Sequence, residues 1–365
     1  MQSFQGTPLP TKRRRRGWVT ATGGITALLT MAALFVHWNT NFLGEQEFCD
    51  GIVSSTEMSS VLDGAGRIST VSSLGKVTPA FACRVERTSR FLGKESTEIH
   101  ISTGVHEPDF PFQTRVWKDP SAMSFFSNGT TGAVSGERGW VLLPEVCWTK
   151  VGTTQLAQVL PRSGEVTTLD AVIENGTVDR QALAKMLAAA AHRIAERAGC
   201  GVGGPVETPR LQPVKTAPTT AGAVCGLPGF TLPRKALIDG EATLGTEQTS
   251  GRASDTWACG MHLSGSAQAV IWFSTTSDPR LVGPALLGDK NFRDIADGAG
   301  KVNRSRSTAA LTCGAEKVFF SMRWSDEYSD ATRDDVIQVS RAMFQGFIDS
   351  AGKRHGCPAV KLASS

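Results

Sequence analysis

A chain of 365 residues, 40% hydrophobic and 20% charged, has the length for more than one folded core and the composition of globular protein, which excludes wholesale disorder. Its formal net charge is +4, yet Lys12, Arg13, Arg14, Arg15 and Arg16 supply five positive charges, leaving 33 basic against 34 acidic residues elsewhere. A surface that tracks a polyanion needs a basic excess, so nucleic acid is not expected as a partner.

Residues 1–16 read as a cytoplasmic tail ending in the basic run. Gly17 to Trp38 follows without a charge and is rich in Ala, Leu, Ile, Val, Met and Phe. At about 1.5 Å per residue this run covers roughly 33 Å, enough for a bilayer core. Trp18 and Trp38 stand near its ends, where indoles favour the interface, while Glu45, Glu47 and Asp50 come after it. Positive-inside bias then predicts a single-pass anchor over 17–38 in the cell membrane, its N-terminus cytoplasmic and the bulk extracytoplasmic. A cleaved export signal is the competing reading. The small residues Val19, Ala21 and Gly23 come too early for it, and His37-Trp38-Asn39 is a poor cleavage site. Either way the bulk of the chain is exported.

Export bears on the eight cysteines. Cys49 to Cys83 and Cys225 to Cys259 are both intervals of 34 residues, so the two segments align without a gap. Val61-Leu62-Asp63-Gly64 then meets Leu237-Ile238-Asp239-Gly240, and Phe81-Ala82-Cys83 meets Trp257-Ala258-Cys259. Cys147 and Cys200 follow in the first half, Cys313 and Cys357 in the second. An even count in an oxidising compartment favours disulfides, and no C-x-x-C pair offers a metal site. The expected pairs are Cys49–Cys83, Cys147–Cys200, Cys225–Cys259 and Cys313–Cys357.

Over 44–200 the pattern predicts a first domain. Ser55 to Leu62 has helical spacing, Glu98 to Ser102 alternates as a strand, and Phe110 to Trp117 is a candidate edge strand among prolines. Trp140 to Leu143 and Val166 to Ile173 read as buried strands, the latter closed by Asn175-Gly176. Leu183, Met186, Leu187, Ala190 and Ile194 form one stripe of a helix over Asp179–Ala198, which Gly199 ends. Residues 201–224, with Pro205, Pro209, Pro213 and Pro218, read as an extended linker.

A second domain over 225–357 repeats the order. Lys235 to Asp239 gives a helical turn and Ala269 to Phe273 a strand covered on both faces. Ser307 to Cys313 and Lys317 to Trp324 form a hairpin around Gly314. A helix with Val336, Val339, Met343, Phe344 and Phe347 follows a capping-box-like Thr332 and Asp335. Residues 358–365 read as a tail. The expected fold is α+β: two tandem, disulfide-stapled domains, each an antiparallel sheet packed by its long C-terminal helix, after one transmembrane helix.

Motifs for chemistry are sparse. Ser73-Leu74-Gly75-Lys76 matches S-x-x-K, but no S-D-N follows and the second half has Thr249 and Arg252 instead. His106-Glu107-Pro108-Asp109 lacks the second histidine of H-E-x-x-H and reads as a loop. His100 and His192 stand at no telling interval from an acid or nucleophile. Trp257, Trp272, Trp324, Phe319 and Phe320 fit core packing better than a ligand groove. No catalytic residue, metal ligand or cofactor is expected.

Arg13–Arg16 before one span, Cys225-Gly226-Leu227-Pro228-Gly229 opening a domain, and Trp257-Ala258-Cys259 before a strand resemble the anchored or secreted extracytoplasmic proteins of unknown function common in actinobacteria. Many of those are lipoproteins, and this chain lacks the lipid-bearing cysteine. The resemblance implies no particular activity. The expected function is a non-enzymatic binding or scaffold protein of the cell envelope, engaging an envelope component or a protein partner. The alternative is an envelope hydrolase whose site no motif reveals.

Overall fold

The computed structural model describes residues 14–42, 44–74, 80–89, 96–106, 118–152, 164–201, 203–237, 244–251, 256–263, 268–288, 291–332 and 336–362. Over these the chain is mixed α+β, with two large antiparallel sheets and four disulfides. Helix α1, Arg14–Asn39, contains both Gly17 and Trp38. Leu28, Leu29, Met31, Leu34, Phe35 and Val36 are exposed along it. Among the described residues no helix is long and apolar enough to cross a membrane. The last residue of α1 is docked: Asn39 is buried, its carbonyl accepts from the Gly66 N–H, and its side-chain oxygen accepts from the Ser89 hydroxyl.

The first half opens with a two-residue hairpin, β1 (Glu47–Phe48) and β2 (Val53–Ser54), around Cys49. Helix α2 (Ser55–Val61) starts at a capping box, the Ser54 hydroxyl accepting from the Glu57 N–H while Glu57 accepts from the Ser54 N–H. Then come β3 (Arg67–Leu74), β4 (Ala82–Thr88), β5 (Thr97–His106), β6 (Ser124–Phe126), β7 (Gly132–Val134), β8 (Arg138–Leu142), β9 (Val166–Glu174) and α3 (Arg180–Arg197). Period-two alternation turns Val85, Ile99, Ile101, Ala171 and Ile173 to one face, where the α3 stripe Leu183, Met186, Leu187, Ala190 and Ile194 covers them. Arg193 of α3 clamps Glu57 at 2.7 and 2.8 Å and reaches the Ile52 carbonyl at 2.7 Å, locking the two helices together. Gly199, at φ 63°, is the left-handed stop that brings Cys200 round beneath the helix end.

The second half runs β10 (Val214–Pro218), β11 (Leu244–Gly251), β12 (Thr256–Leu263), β13 (Val270–Thr276), α4 (Pro279–Gly288), β14 (Arg293–Asp294), β15 (Gly300–Asn303), β16 (Thr308–Cys313), β17 (Glu316–Trp324), α5 (Asp326–Ala331) and α6 (Val336–Arg354). Its core joins Met261, Ile271, Phe273, Leu311 and Phe320 of the sheet to Val339, Met343, Phe344 and Phe347 of α6. The first sheet has the order β3-β4-β5-β9-β8-β7-β6, and the second, after its edge strand β10, β11-β12-β13-β17-β16-β15-β14. Each therefore runs first, second, third, seventh, sixth, fifth, fourth.

The disulfides join Cys49 to Cys83, Cys147 to Cys200, Cys225 to Cys259 and Cys313 to Cys357, the pairs expected from the intervals. Cys49 and Cys225 both sit at left-handed φ, 56° and 60°. Such a conformation costs a non-glycine residue about 1–3 kcal/mol and persists where other bonds over-determine it; here a disulfide supplies one.

Several expectations change. Residues 201–224 are not a free spacer: 214–218 form β10 on β11. The stretch before it is strapped to the first half by Asn128 Nδ2 to the Thr208 carbonyl and Gln181 Nε2 to the Pro209 carbonyl. Within the expected tail, Val360 is buried and Gln345 bonds its carbonyl and the Leu362 N–H. Trp257, Ala258 and Cys259 lie within β12 instead of before it. His106 ends β5 and is not a loop residue. Phe110–Trp117, Lys76 and Asp335 lie outside the described residues.

Candidate binding site

The sheet faces opposite the long helices bring the halves together. Met123, Phe125, Ala133, Trp140, Leu142 and Val166 form one apolar cluster with Ala258 of β12 and Leu281 of α4. Gly260 has no side chain because a Cβ there would collide with the Ser121 hydroxyl. Polar bonds stitch the same seam. The Trp272 indole donates to Asp119 at 3.3 Å, the Ser250 hydroxyl to the Met123 carbonyl, and the Thr131 hydroxyl to Asp278.

Asp278 is the buried polar centre of this seam. Arg280 grips it with two bonds, Nε to Oδ1 at 3.0 Å and Nη2 to Oδ2 at 2.9 Å. Burial alone would raise its pKa, but the Arg280 guanidinium and the Thr131 hydroxyl outweigh burial and hold the carboxyl below the ordinary range. Replacing Asp278 by Ala leaves the Thr131 hydroxyl without its acceptor and returns the part-exposed Arg280 guanidinium to solvent, which is expected to cost about 1–2 kcal/mol. Because the native pKa is depressed, the stabilisation is complete above the unfolded value of about 3.9 and is lost as pH falls through the native one. Thermal melts from pH 7 to pH 2 check this, with Asp278→Asn expected to have a flatter acid limb than wild type.

Beside the seam lies a cavity of about 320 Å³, a size and location usual for small-molecule sites. Leu142 and Leu143 at the end of β8 and Ala188 and Ala191 of α3 supply apolar lining, and Pro205 and Val206 of the strap join them. Polar groups come from His192, Glu207 and Arg280. Positions 188, 191 and 192 share one face of α3 by helical spacing. His192 Nε2 is buried without a hydrogen bond, while Nδ1 lies 3.5 Å from Glu196. A buried ring nitrogen left open beside a cavity is a polar handle for a ligand. The first half and the strap supply most of the lining, and Arg280 of α4 is the contribution of the second half.

A second polar pair stands on β5 and β9. His106 Nε2 lies 2.7 Å from Asp170 Oδ2, and the Thr168 hydroxyl donates to Asp170 Oδ1 at 2.5 Å. Burial pushes the His106 pKa down, but the Asp170 carboxylate outweighs it and the net direction is up. Gly104 leaves the room for this pair, because a Cβ there would run into both side chains.

The eight cysteines are consumed in disulfides, and Gly17 and Trp38 belong to α1. Ser73 donates to Asp50 at 2.7 Å. Of the aromatic set, Trp257 and Phe320 are in the second core, Trp324 packs at its margin, Phe319 lies with the apolar side chains of α4, and Trp272 is at the seam. Sequence reading did not reach His192, Glu207 and Arg280 as a group, since nothing in their spacing announces a cavity that three segments share. Comparison of the chain with protein-family models, curated proteins and solved structures returns no match.

Proposed function

We propose that the chain is a membrane-anchored, extracytoplasmic binding protein in which one disulfide-stapled domain occurs twice, and that it takes a small ligand in the cavity beside the seam. The cavity carries this reading: an apolar lining with an unpaired buried imidazole nitrogen and a guanidinium suits an apolar body bearing one hydrogen-bonding or anionic head. Duplication is supported by the shared strand order and by the matched 34-residue disulfide loops. The basic run before α1 and the exposed apolar side chains along it support the anchor and an exported bulk. The docked Asn39 would then hold the first half close against the bilayer.

4-Fluorobenzoate, a ring with one carboxylate, is a suitable probe. Its ¹⁹F transverse relaxation is expected to rise with the full chain in detergent and to return to the free value with Ala188→Phe, which fills the cavity from α3. Equal relaxation with wild type and a folded Ala188→Phe variant would remove the cavity as the site.

A further inference from the structure

On the open face of the first sheet, away from α3, three carboxylates stand in one cross-strand row. The register sets Glu86 of β4 opposite Glu98 of β5, and Glu98 opposite Glu174 of β9. Like charges directly opposite one another destabilise a sheet, so the row calls for positive charge. The next row on this face supplies some, with Arg84 of β4 opposite His100 of β5. His100 Nε2 lies 2.5 Å from Glu98 Oε1 and 3.8 Å from Glu174 Oε2. Donor atoms of Glu98, His100 and Glu174 all fall within 4.8 Å of one another.

Glu98 Oε1 and His100 Nε2 are both shielded from solvent. Convergence of an imidazole nitrogen and two carboxylate oxygens is the arrangement of a metal-binding triad. We propose that Glu98, His100 and Glu174 bind one divalent cation of borderline softness, the class of Zn²⁺ and Co²⁺. One nitrogen and two oxygens suit such ions, and three protein ligands leave a further position for water. Ligands about 2.0–2.1 Å from a tetrahedral ion lie roughly 3.3 Å apart, so the His100–Glu98 contact has to lengthen by about 0.8 Å and the His100–Glu174 contact to shorten by about 0.5 Å. At 17%, 32% and 42% side-chain exposure the three residues remain reachable from solvent.

Arg84 is the competitor. Its Nε lies 2.6 Å from Glu98 Oε1, and its side chain is 44% exposed, so it can swing outward as the ion enters. A cation at the triad therefore has to displace one already present, which makes Arg84 a handle on the affinity. The site is independent of the seam cavity, and its test uses no ligand of that cavity.

The full chain in detergent, stripped by chelator, is titrated with Co²⁺ while the visible d–d bands are followed, and Zn²⁺ is then added in competition. One Co²⁺ per chain with the strong absorption of a low-coordinate site, displaced by Zn²⁺, is expected. His100→Gln and Glu174→Gln are expected to weaken binding roughly 10-fold or more, as loss of a supporting group alone already does. Arg84→Gln is expected to tighten it. Absence of specific Co²⁺ and Zn²⁺ binding by wild type overturns the proposal, as does unchanged binding in a folded His100→Gln variant. Should His100→Gln fail to fold, Arg84→Gln decides: tighter binding upholds the site, and equal or weaker binding overturns it.

Discussion

Phe347→Ala is expected to destabilise the second half by about 3–5 kcal/mol, among the largest effects of any single truncation. Phe347 is fully buried on α6 and is the hub of an aromatic cluster. Its ring centroid lies 5.0 Å from Phe273, 6.0 Å from Phe230, 6.0 Å from Phe320, 6.2 Å from Trp257 and 6.4 Å from Phe344. Three of these partners come from inner strands of the sheet, one from the opening turn and one from the helix itself, so no single segment can collapse into the hole. Aromatic pairs add about 0.5–1.5 kcal/mol each beyond buried area, and several are lost together. Denaturant melts of the full chain, following tryptophan fluorescence, measure the loss. Phe347→Leu should cost well under half as much, because it keeps most of the volume. A loss below about 1 kcal/mol for Phe347→Ala would mean that the helix does not pin the sheet as described.

The long helices were legible because nothing competes with their pattern. The α3 stripe is regular, Asp179 caps its start through the Ala182 N–H at 2.8 Å, and Gly199 ends it. The cysteine intervals were legible for a related reason, since one loop length occurring twice is information in the sequence itself. Helix α4 was not legible. It contains Gly283 and Pro284, and it forms because Leu281 is buried in the seam while Val282 and Ala285 pack with Ala310 and Phe319. Tertiary burial there overrides local propensity. The edge strand β3 and its counterpart β11, which lies next to the edge strand β10, were hidden by their Ser, Thr and Gly content, which suits the margin of a sheet more than its centre.

The sites were hidden for a different reason. Asp278 and Thr131 are 147 positions apart, and Glu98 meets Glu174 only through the pairing of β5 with β9. Residue spacing carries no sign of either contact. Register does, since it fixes which side chains share a face. The opposite faces of the sheets also explain why the polar groups lie where they do. Each long helix takes one face of its sheet for the core, which leaves the carboxylate row of Glu98 and Glu174 on the opposite face.

Cys200→Ala with Cys147→Ala is expected to cost the first half about 4 kcal/mol. The bridge closes 53 residues, and the chain-entropy estimate for such a loop is about 4 kcal/mol, against a domain stability of about 5–15 kcal/mol. It joins the turn after β8 to the residue just beyond α3, where both cysteines are buried. Without it the helix end is held by side-chain contacts alone, among them Lys150 Nζ to the Gly199 carbonyl at 2.8 Å. The double replacement avoids a stray thiol, so melts report the bridge and nothing else. The single variant Cys200→Ser serves a different purpose, because it leaves Cys147 as one thiol in a weakened half that opens transiently. A membrane-impermeant maleimide on intact cells collects those openings irreversibly. Labelling without permeabilisation is expected from the proposed topology. Labelling only after permeabilisation would place the first half on the cytoplasmic side, where a reducing environment would leave these bridges unformed.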